Sequence, residues 1–196
     1  MILKVTALAS VLLLASCASS VAGRYGVEQS LDAFNNTQDV SMSGGVIDAD
    51  YLGIVANAAE FNPYVSRTSQ GGIKALGIAF TYENPSKWLN IRKGSSITFL
   101  LNGGGDRVVI KALDGDIDHK VSMPQRTVYT TKYDYGVFPI SPQQLKKLAY
   151  ATDVQVRVVG VSSREDFPRK PNNSLLSSFL PNVKKFYETQ VAPYLK

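Results

Sequence analysis

The clearest hydrophobic pattern lies in the last third of the chain, where two spacings of apolar residues alternate. Residues 129–140 and 154–160 place apolar side chains at every second position, as strands do. Between them, residues 141–153 place apolar side chains at helical spacing. Ser141 suits the N-cap position, and Gln144 stands three residues later, as a capping box requires. The pattern predicts a strand, a helix and a second strand.

The middle of the chain has mostly the alternation of strands. Ile78, Phe80 and Tyr82 predict one buried face of a long strand. Candidate strands occupy residues 64–69, 73–83, 88–91, 96–101, 107–113, 120–123 and 127–138, with turns at 102–106 and 114–118. The strands are short, follow one another directly and are joined by tight turns. This arrangement favours antiparallel pairing.

The start of the body is less regular. Val27, Leu31 and Phe34 recur at helical spacing and predict one or two helical turns. Residues 35–47 alternate weakly and predict an edge strand, and residues 48–63 suggest only a short apolar element.

The end of the body is a polar loop followed by an amphipathic helix. The loop covers residues 162–173 and the helix covers residues 174–191. Pro181 stands inside the helix and is expected to kink or divide it.

Taken together, these elements predict an α+β fold. Residues 26–196 form a single domain, a mostly antiparallel β-sheet with two helices packed on one face. The connection through residues 141–153 is also long enough to join two parallel strands.

The N-terminus carries a targeting pattern. Lys4 precedes an apolar run, residues 5–15, that is too short to span a bilayer and is typical of a signal peptide. The run ends in Leu14-Ala15-Ser16-Cys17, which resembles the lipobox of bacterial lipoproteins. The resemblance implies that the signal, residues 1–16, is removed and that Cys17 is acylated, with palmitate among its acyl chains. Residues 17–25 then form a lipidated tether.

Two further details bear on the cleavage site and on the cellular location of the protein. The alternative is ordinary secretion with cleavage after Ala22, but the apolar run ends at Cys17 and favours the lipobox. In Gram-negative lipoproteins an Asp after the cysteine favours the inner membrane, so Ala18 implies the outer membrane, facing the periplasm. The body is also similar in pattern to uncharacterised lipoproteins of bacterial envelopes, which have no assigned activity.

Composition narrows the candidate chemistry. Cys17 is the only cysteine, so disulfides and thiolate metal sites are excluded. His119 is the only histidine and lies beside a predicted turn, which favours a solvated side chain over a catalytic base. The chain has no Gly-x-Ser-x-Gly elbow and no phosphate-binding loop, and we expect no cofactor.

Two features leave alternatives open. Asp114, Asp116 and Asp118 resemble the first half of a calcium loop, but the pattern then lacks its Gly and Glu, so a tight turn explains them better. A run of tyrosines at 129, 133 and 135 would line a ligand groove or pack across strands.

Three functions are compatible with these observations. The first is a non-enzymatic envelope lipoprotein that binds or supports another component. The second is a hydrolase of cell-wall or polysaccharide material with a carboxylate site. The third is an assembly or transport factor for lipid or lipopolysaccharide with an apolar groove.

The expected partners follow from the net charge of the chain and from its expected location in the envelope. The membrane is reached through the lipid on Cys17, and the net charge of +5 admits an anionic envelope component or another envelope protein. A nucleic acid partner is not expected outside the cytoplasm.

Overall fold

A computed structural model describes residues 23–52, 55–122, 129–169 and 176–195. The strands in chain order are β1 (Gly26–Asp32), β2 (Thr37–Ser43), β3 (Val46–Leu52), β4 (Val55–Thr68), β5 (Ile73–Asn84), β6 (Ser96–Leu101), β7 (Asp106–Lys111), β8 (Asp114–Ser122), β9 (Tyr129–Pro139), β10 (Val154–Val159) and β11 (Arg164–Phe167). The helices are α1 (Pro142–Ala149) and α2 (Leu176–Phe186). A π-helical turn, Tyr187–Val191, and a 3₁₀ turn, Ala192–Tyr194, continue α2.

The described strands divide into two antiparallel sheets. The large sheet has the order β1-β2-β4-β5-β9-β8, with β3 paired to β4, and the small sheet has the order β11-β10-β6-β7. The predicted α+β fold, mostly antiparallel with two helices, is confirmed. Because β9 lies in the large sheet and β10 in the small one, α1 connects the two sheets, and no parallel pair forms among the described strands.

Phe61 on β4 lies where the layers meet. Its ring centre is 4.9 Å from that of Phe80 on β5 and 5.9 Å from that of Phe99 on β6. The rings of Phe167 at the end of β11 and Phe179 on α2 lie at 5.9 and 6.4 Å. The large sheet, the small sheet and α2 therefore share one aromatic core.

The local signals predicted around α1 are confirmed. The Ser141 hydroxyl accepts a hydrogen bond from the Gln144 amide at 3.2 Å, and the Gln144 side chain accepts one from the Ser141 amide at 2.9 Å. Both bonds satisfy positions that the first helical turn leaves open. Leu145 and Leu148 form the inner face of α1 and are fully buried.

The second helix differs from its prediction in one respect. Helix α2 runs without a break from Leu176 to Phe186, with Pro181 inside it, so the proline does not divide the helix. Residues 174 and 175, the predicted start, lie outside the described residues.

The predictions for residues 27–47 are wrong in part. Residues 27–34 form no helical turn, because β1 pairs with β2 over its whole length. Leu31 is 82% exposed and Phe34 is fully exposed, so their helical spacing does not mark a buried face. Strand β2 is present but is not an edge, because it lies between β1 and β4.

Three other predictions are corrected. Residues 88–91 form an irregular segment and not a strand. Residues 114–118, the predicted turn, form the beginning of β8 and pair with β9. The predicted loop at 162–173 contains β11, which pairs with β10.

Candidate binding site

Asp134, on the inner face of β9, is a fully buried carboxylate. It accepts hydrogen bonds from the backbone amides of Leu89 at 2.8 Å, Asn90 at 2.7 Å and Ile91 at 3.1 Å. Three amide donors satisfy a carboxylate that is removed from water. The side chain therefore holds the irregular segment at residues 88–91 against the large sheet and is committed to the fold.

Asp48, on β3, is also buried, with 3% of its surface exposed. Its Oδ2 atom accepts hydrogen bonds from the backbone amide and from Nε of Arg169, both at 2.7 Å. A charge-assisted pair of this geometry ties the large sheet to the segment that follows β11. This carboxylate also has a structural partner.

A different carboxylate pair, Glu60 and Glu83, lies on the solvent face of the large sheet. Burial raises the pKa of Glu60, a hydrogen bond from Asn62 opposes this, and the charge of nearby Glu83 raises it further. The Tyr133 hydroxyl donates a hydrogen bond to Glu83. Acid–base chemistry can use two neighbouring carboxylates, so this pair is a candidate for it.

Tyrosines border this pair on the same face. The ring of Tyr64 lies over Gly77, where an added Cβ would meet its Cε1 atom at 2.4 Å, so only glycine fits below the ring. Tyr135 is 47% exposed and contributes to raising the pKa of Tyr64, chiefly raised by burial. Tyr133 and Tyr135 therefore belong to an outer surface and not to the core, and the side chain of Tyr129 lies outside the described residues.

The most unusual charged group is Arg67, near the end of β4, which is only 4% exposed. Its Nη2 atom donates to the backbone oxygen of Gln190 at 2.6 Å and to the side-chain oxygen at 2.7 Å. Its guanidinium carbon lies 3.9 Å from the ring centre of Tyr194. Within the part of the chain that the structure describes, Nε has no acceptor and no carboxylate forms an ion pair with this residue.

Arg67 lines a cavity of 610 Å³ at the end of the large sheet, which we call the Arg67 pocket. Its other lining residues are mostly small or polar: Leu31, Asp32, Ala33, Asn36, Thr37, Gln38, Thr68, Ser69, Gly71 and Tyr194. Arg67 is the only basic residue among those that line the pocket. The pocket is therefore bordered by a buried positive charge that no carboxylate among the described residues neutralises.

Asp32 is the one acidic residue of the lining, and its charge is used locally. It accepts hydrogen bonds from the Phe34 amide and from the Asn35 amide and side chain, at 2.7–3.0 Å. These bonds, led by the side chain of Asn35, lower the pKa of Asp32, and the charge of Lys74 lowers it further. Asp32 therefore stabilises the turn between β1 and β2 and does not neutralise Arg67.

A second cavity, of 590 Å³, lies on the outer face of the small sheet. Arg157 and Asp166 line this cavity and form a bidentate pair, in which two hydrogen bonds from the guanidinium to the carboxylate each measure 2.6 Å. The hydrogen bond from Arg157 lowers the pKa of Asp166. Because the two charges neutralise each other, this cavity has no free charge from the pair with which to select a ligand.

Two residues singled out in the sequence lie wholly or partly outside the described residues. Cys17 lies outside the described residues. The backbone of His119 lies in β8 opposite Lys132, while its side chain lies outside the described residues. Within the described ranges, no three potential ligands cluster so as to hold a metal ion, and no helix has the length and apolar character to cross a membrane.

Sequence reasoning missed Arg67 and Asp134, although each carries a signal. Arg67 continues the inward series of Phe61 and Val65 along β4, and Asp134 continues that of Phe138 along β9. A charge at an inward position requires a partner. The partner itself is remote in the chain, which the alternation of a single strand does not reveal.

No protein family, curated protein or solved structure matches this chain. The function is therefore argued from the geometry of the pocket and from the N-terminal motif.

Proposed function

We propose that this chain is a lipid-anchored protein of the bacterial envelope that binds an anionic envelope component and catalyses no reaction. The anchor is supported by the lipobox ending at Cys17. The binding role is supported by one structural observation: the buried guanidinium of Arg67, which has no carboxylate partner among the described residues, borders a cavity of 610 Å³.

The physical argument concerns the cost of a buried charge. Removing a cation from water costs several kcal/mol unless a counter-charge is close. The ring of Tyr194 and the oxygens of Gln190 compensate part of this cost, but no anion does so among the described residues. A carboxylate or phosphate in the pocket supplies the missing charge, and the planar fork of arginine suits both.

Thermal unfolding of the full chain in neutral detergent tests this role. Inorganic phosphate is the probe, and sodium chloride at the same ionic strength is the reference. We expect phosphate to raise the unfolding temperature above that in chloride, because an anion that binds only the folded state stabilises it. The effect should disappear in Arg67→Gln and weaken in Arg67→Lys, which keeps the charge but not the fork.

Arg157→Gln is the matched control, because it removes an arginine from the other cavity. It should keep the full phosphate effect. A phosphate effect that survives in Arg67→Gln, or that disappears in Arg157→Gln alone, would contradict the assignment. If Arg67→Gln does not fold, the comparison of Arg67→Lys with Arg157→Gln decides.

The second candidate is a hydrolase of cell-wall or polysaccharide material that uses carboxylate side chains. It is favoured by the raised pKa of Glu60 beside Glu83. It ranks lower because neither residue lines either of the two cavities. The test is release of reducing ends from peptidoglycan and envelope polysaccharides. Activity that is lost in both Glu60→Gln and Glu83→Gln, but kept in the exposed-residue control Asp39→Asn, would establish the hydrolase.

Transport of lipid or lipopolysaccharide has the least support. A carrier needs a mostly apolar cavity to enclose acyl chains. Both cavities instead have mixed linings that include arginine and aspartate.

A further inference from the structure

Two large apolar side chains stand in solvent at one end of the large sheet. Leu31 is 82% exposed and Phe34 is fully exposed, the two highest values among the exposed large hydrophobic residues. Phe34 lies in the turn between β1 and β2, residues 33–36, which we call the hairpin tip, and Leu31 lies in β1 just before it. Leu31 also lines the Arg67 pocket, so the apolar tip and the buried cation adjoin each other.

The hairpin tip is held in place by its own hydrogen bonds. The Asp32 carboxylate accepts bonds from the amides of Phe34 and Asn35, both at 3.0 Å. The Asn36 side chain donates to the Ser69 hydroxyl at 3.0 Å, which connects the tip to the turn after β4. Because these hydrogen bonds fix the turn, Phe34 is held in an exposed position where it can contact a partner.

The charges beside the tip indicate the chemistry of its partner. Arg67 has no counter-charge among the described residues, and Lys74 on β5 lies close enough to Asp32 to lower the pKa of that residue. A surface that presents phosphate groups next to an apolar layer matches this combination. Phospholipid bilayers have this structure, with the phosphates a few ångströms above the acyl chains.

We propose that the hairpin tip docks on a phospholipid bilayer, where Leu31 and Phe34 enter the boundary of the acyl region and Arg67 binds a lipid phosphate. This rests on the proposed role of Arg67 as an anion ligand and names the source of the anion.

The tether permits this contact with the membrane that holds the lipid anchor. Nine residues of chain lead from Cys17 to Gly26 and reach at most about 30 Å. The seven residues of β1 place the hairpin tip about 20 Å from Gly26. The tip and the anchor therefore reach one bilayer together.

A spin label at Ala33 tests the docking, because this position lies in the tip and leaves both Leu31 and Phe34 in place. The full lipid-anchored chain carrying Ala33→Cys is labelled and placed in vesicles of phosphatidylcholine and phosphatidylglycerol. We expect the label to lose accessibility to an aqueous nickel complex and to gain accessibility to oxygen. A label at Val161→Cys, 67% exposed and between β10 and β11 of the small sheet, is the control and should stay accessible to nickel.

Two variants separate the contributions. Phe34→Ser should return the Ala33 label to water, because the turn keeps its hydrogen bonds but loses its largest apolar side chain. Arg67→Lys should return it in part. Equal nickel accessibility of the labels at Ala33 and Val161 would overturn the docking.

The outcomes also separate this inference from the proposed function. If inorganic phosphate stabilises the protein through Arg67 but the Ala33 label stays in water, the anion site stands and the membrane docking is wrong. If the label is buried and Arg67→Lys leaves it unchanged, the assignment of the lipid phosphate to Arg67 is wrong. If phosphate has no effect and the label stays in water, both proposals fail.

Discussion

Asp134 accepts backbone hydrogen bonds that a neighbouring strand accepts elsewhere in the sheet. Its two oxygens accept the backbone amides of Leu89, Asn90 and Ile91, which would otherwise lack partners in the interior. One buried charge thereby fixes a segment that has no regular structure.

We expect Asp134→Ala to lower the free energy of unfolding by about 3–5 kcal/mol, because it leaves three amides without acceptors. Urea denaturation measures the change. Asp39→Ala is the control, since Asp39 is an exposed carboxylate, and should cost less than about 0.5 kcal/mol. Similar losses in the two variants would show that the amides find other partners.

Glu60 makes stability depend on pH in the opposite direction to a paired carboxylate. Burial raises the pKa of Glu60 above 4.5, so the folded protein holds this proton at pH values where the unfolded chain has lost it. The contribution of Glu60 to stability is therefore present at low pH and falls as the pH rises above 4.5 towards the higher pKa of the folded state.

Glu60→Gln should consequently be more stable than the parent chain at pH 7, with the difference shrinking as the pH falls to 4. The glutamine keeps an oxygen to accept the bond from Asn62. Unfolding free energies measured across this range check the sign. A variant that is less stable than the parent at pH 7 would mean that the ionised carboxylate is stabilised in the fold.

The sequence of a strand can show that a charged residue is buried, but it does not show which partner that residue has. Both Arg67 and Asp134 occupy inward positions of alternating strands, which is visible in the sequence. The partners of Arg67 lie 123 residues away at Gln190, and those of Asp134 lie 43–45 residues away. Such separations carry no periodic signal.

Helix α1 could be predicted in detail because its signals are local. Ser141 and Gln144 lie within one turn of each other and settle the start of the helix without reference to the rest of the fold. Strand β1 and the segment at 88–91 depend on remote partners instead. Leu89 and Ile91 alternate as in a strand, but their amides bond to Asp134, and the sequence pattern does not distinguish these cases.

Helix α2 contributes a fully buried Phe186 to the hydrophobic core. We expect Phe186→Ala to destabilise the protein by about 3–5 kcal/mol, as truncation of a buried aromatic does. Lys146→Ala on α1, at an exposed position, should cost less than about 0.5 kcal/mol. Thermal or urea unfolding measures both. A cost below about 1 kcal/mol for Phe186→Ala would show that the helix is a detachable arm.

The division into two sheets is a property of the whole molecule that the sequence pattern did not predict. Strands β9 and β10 flank α1 closely in the chain, yet β10 pairs with β6, so that Val156 lies opposite Phe99. Alternation identifies strands and their faces, but it does not choose among partners of similar apolar character. The fold class could therefore be predicted, and the strand order could not.

The proposed function connects the lipid that the lipobox predicts on Cys17 with the Arg67 pocket. In this proposal, an acylated N-terminus would hold the domain at the membrane, where phosphate groups are concentrated. The exposed side chains of Leu31 and Phe34 then have an apolar layer within reach. Without the anchor, the proposed location in the envelope loses its basis.

The intact mass of the protein extracted from membranes tests that anchor most directly. We expect a chain that begins at Cys17 and carries the added mass of its acyl chains. A chain that begins at Gly23 with no added mass would contradict it.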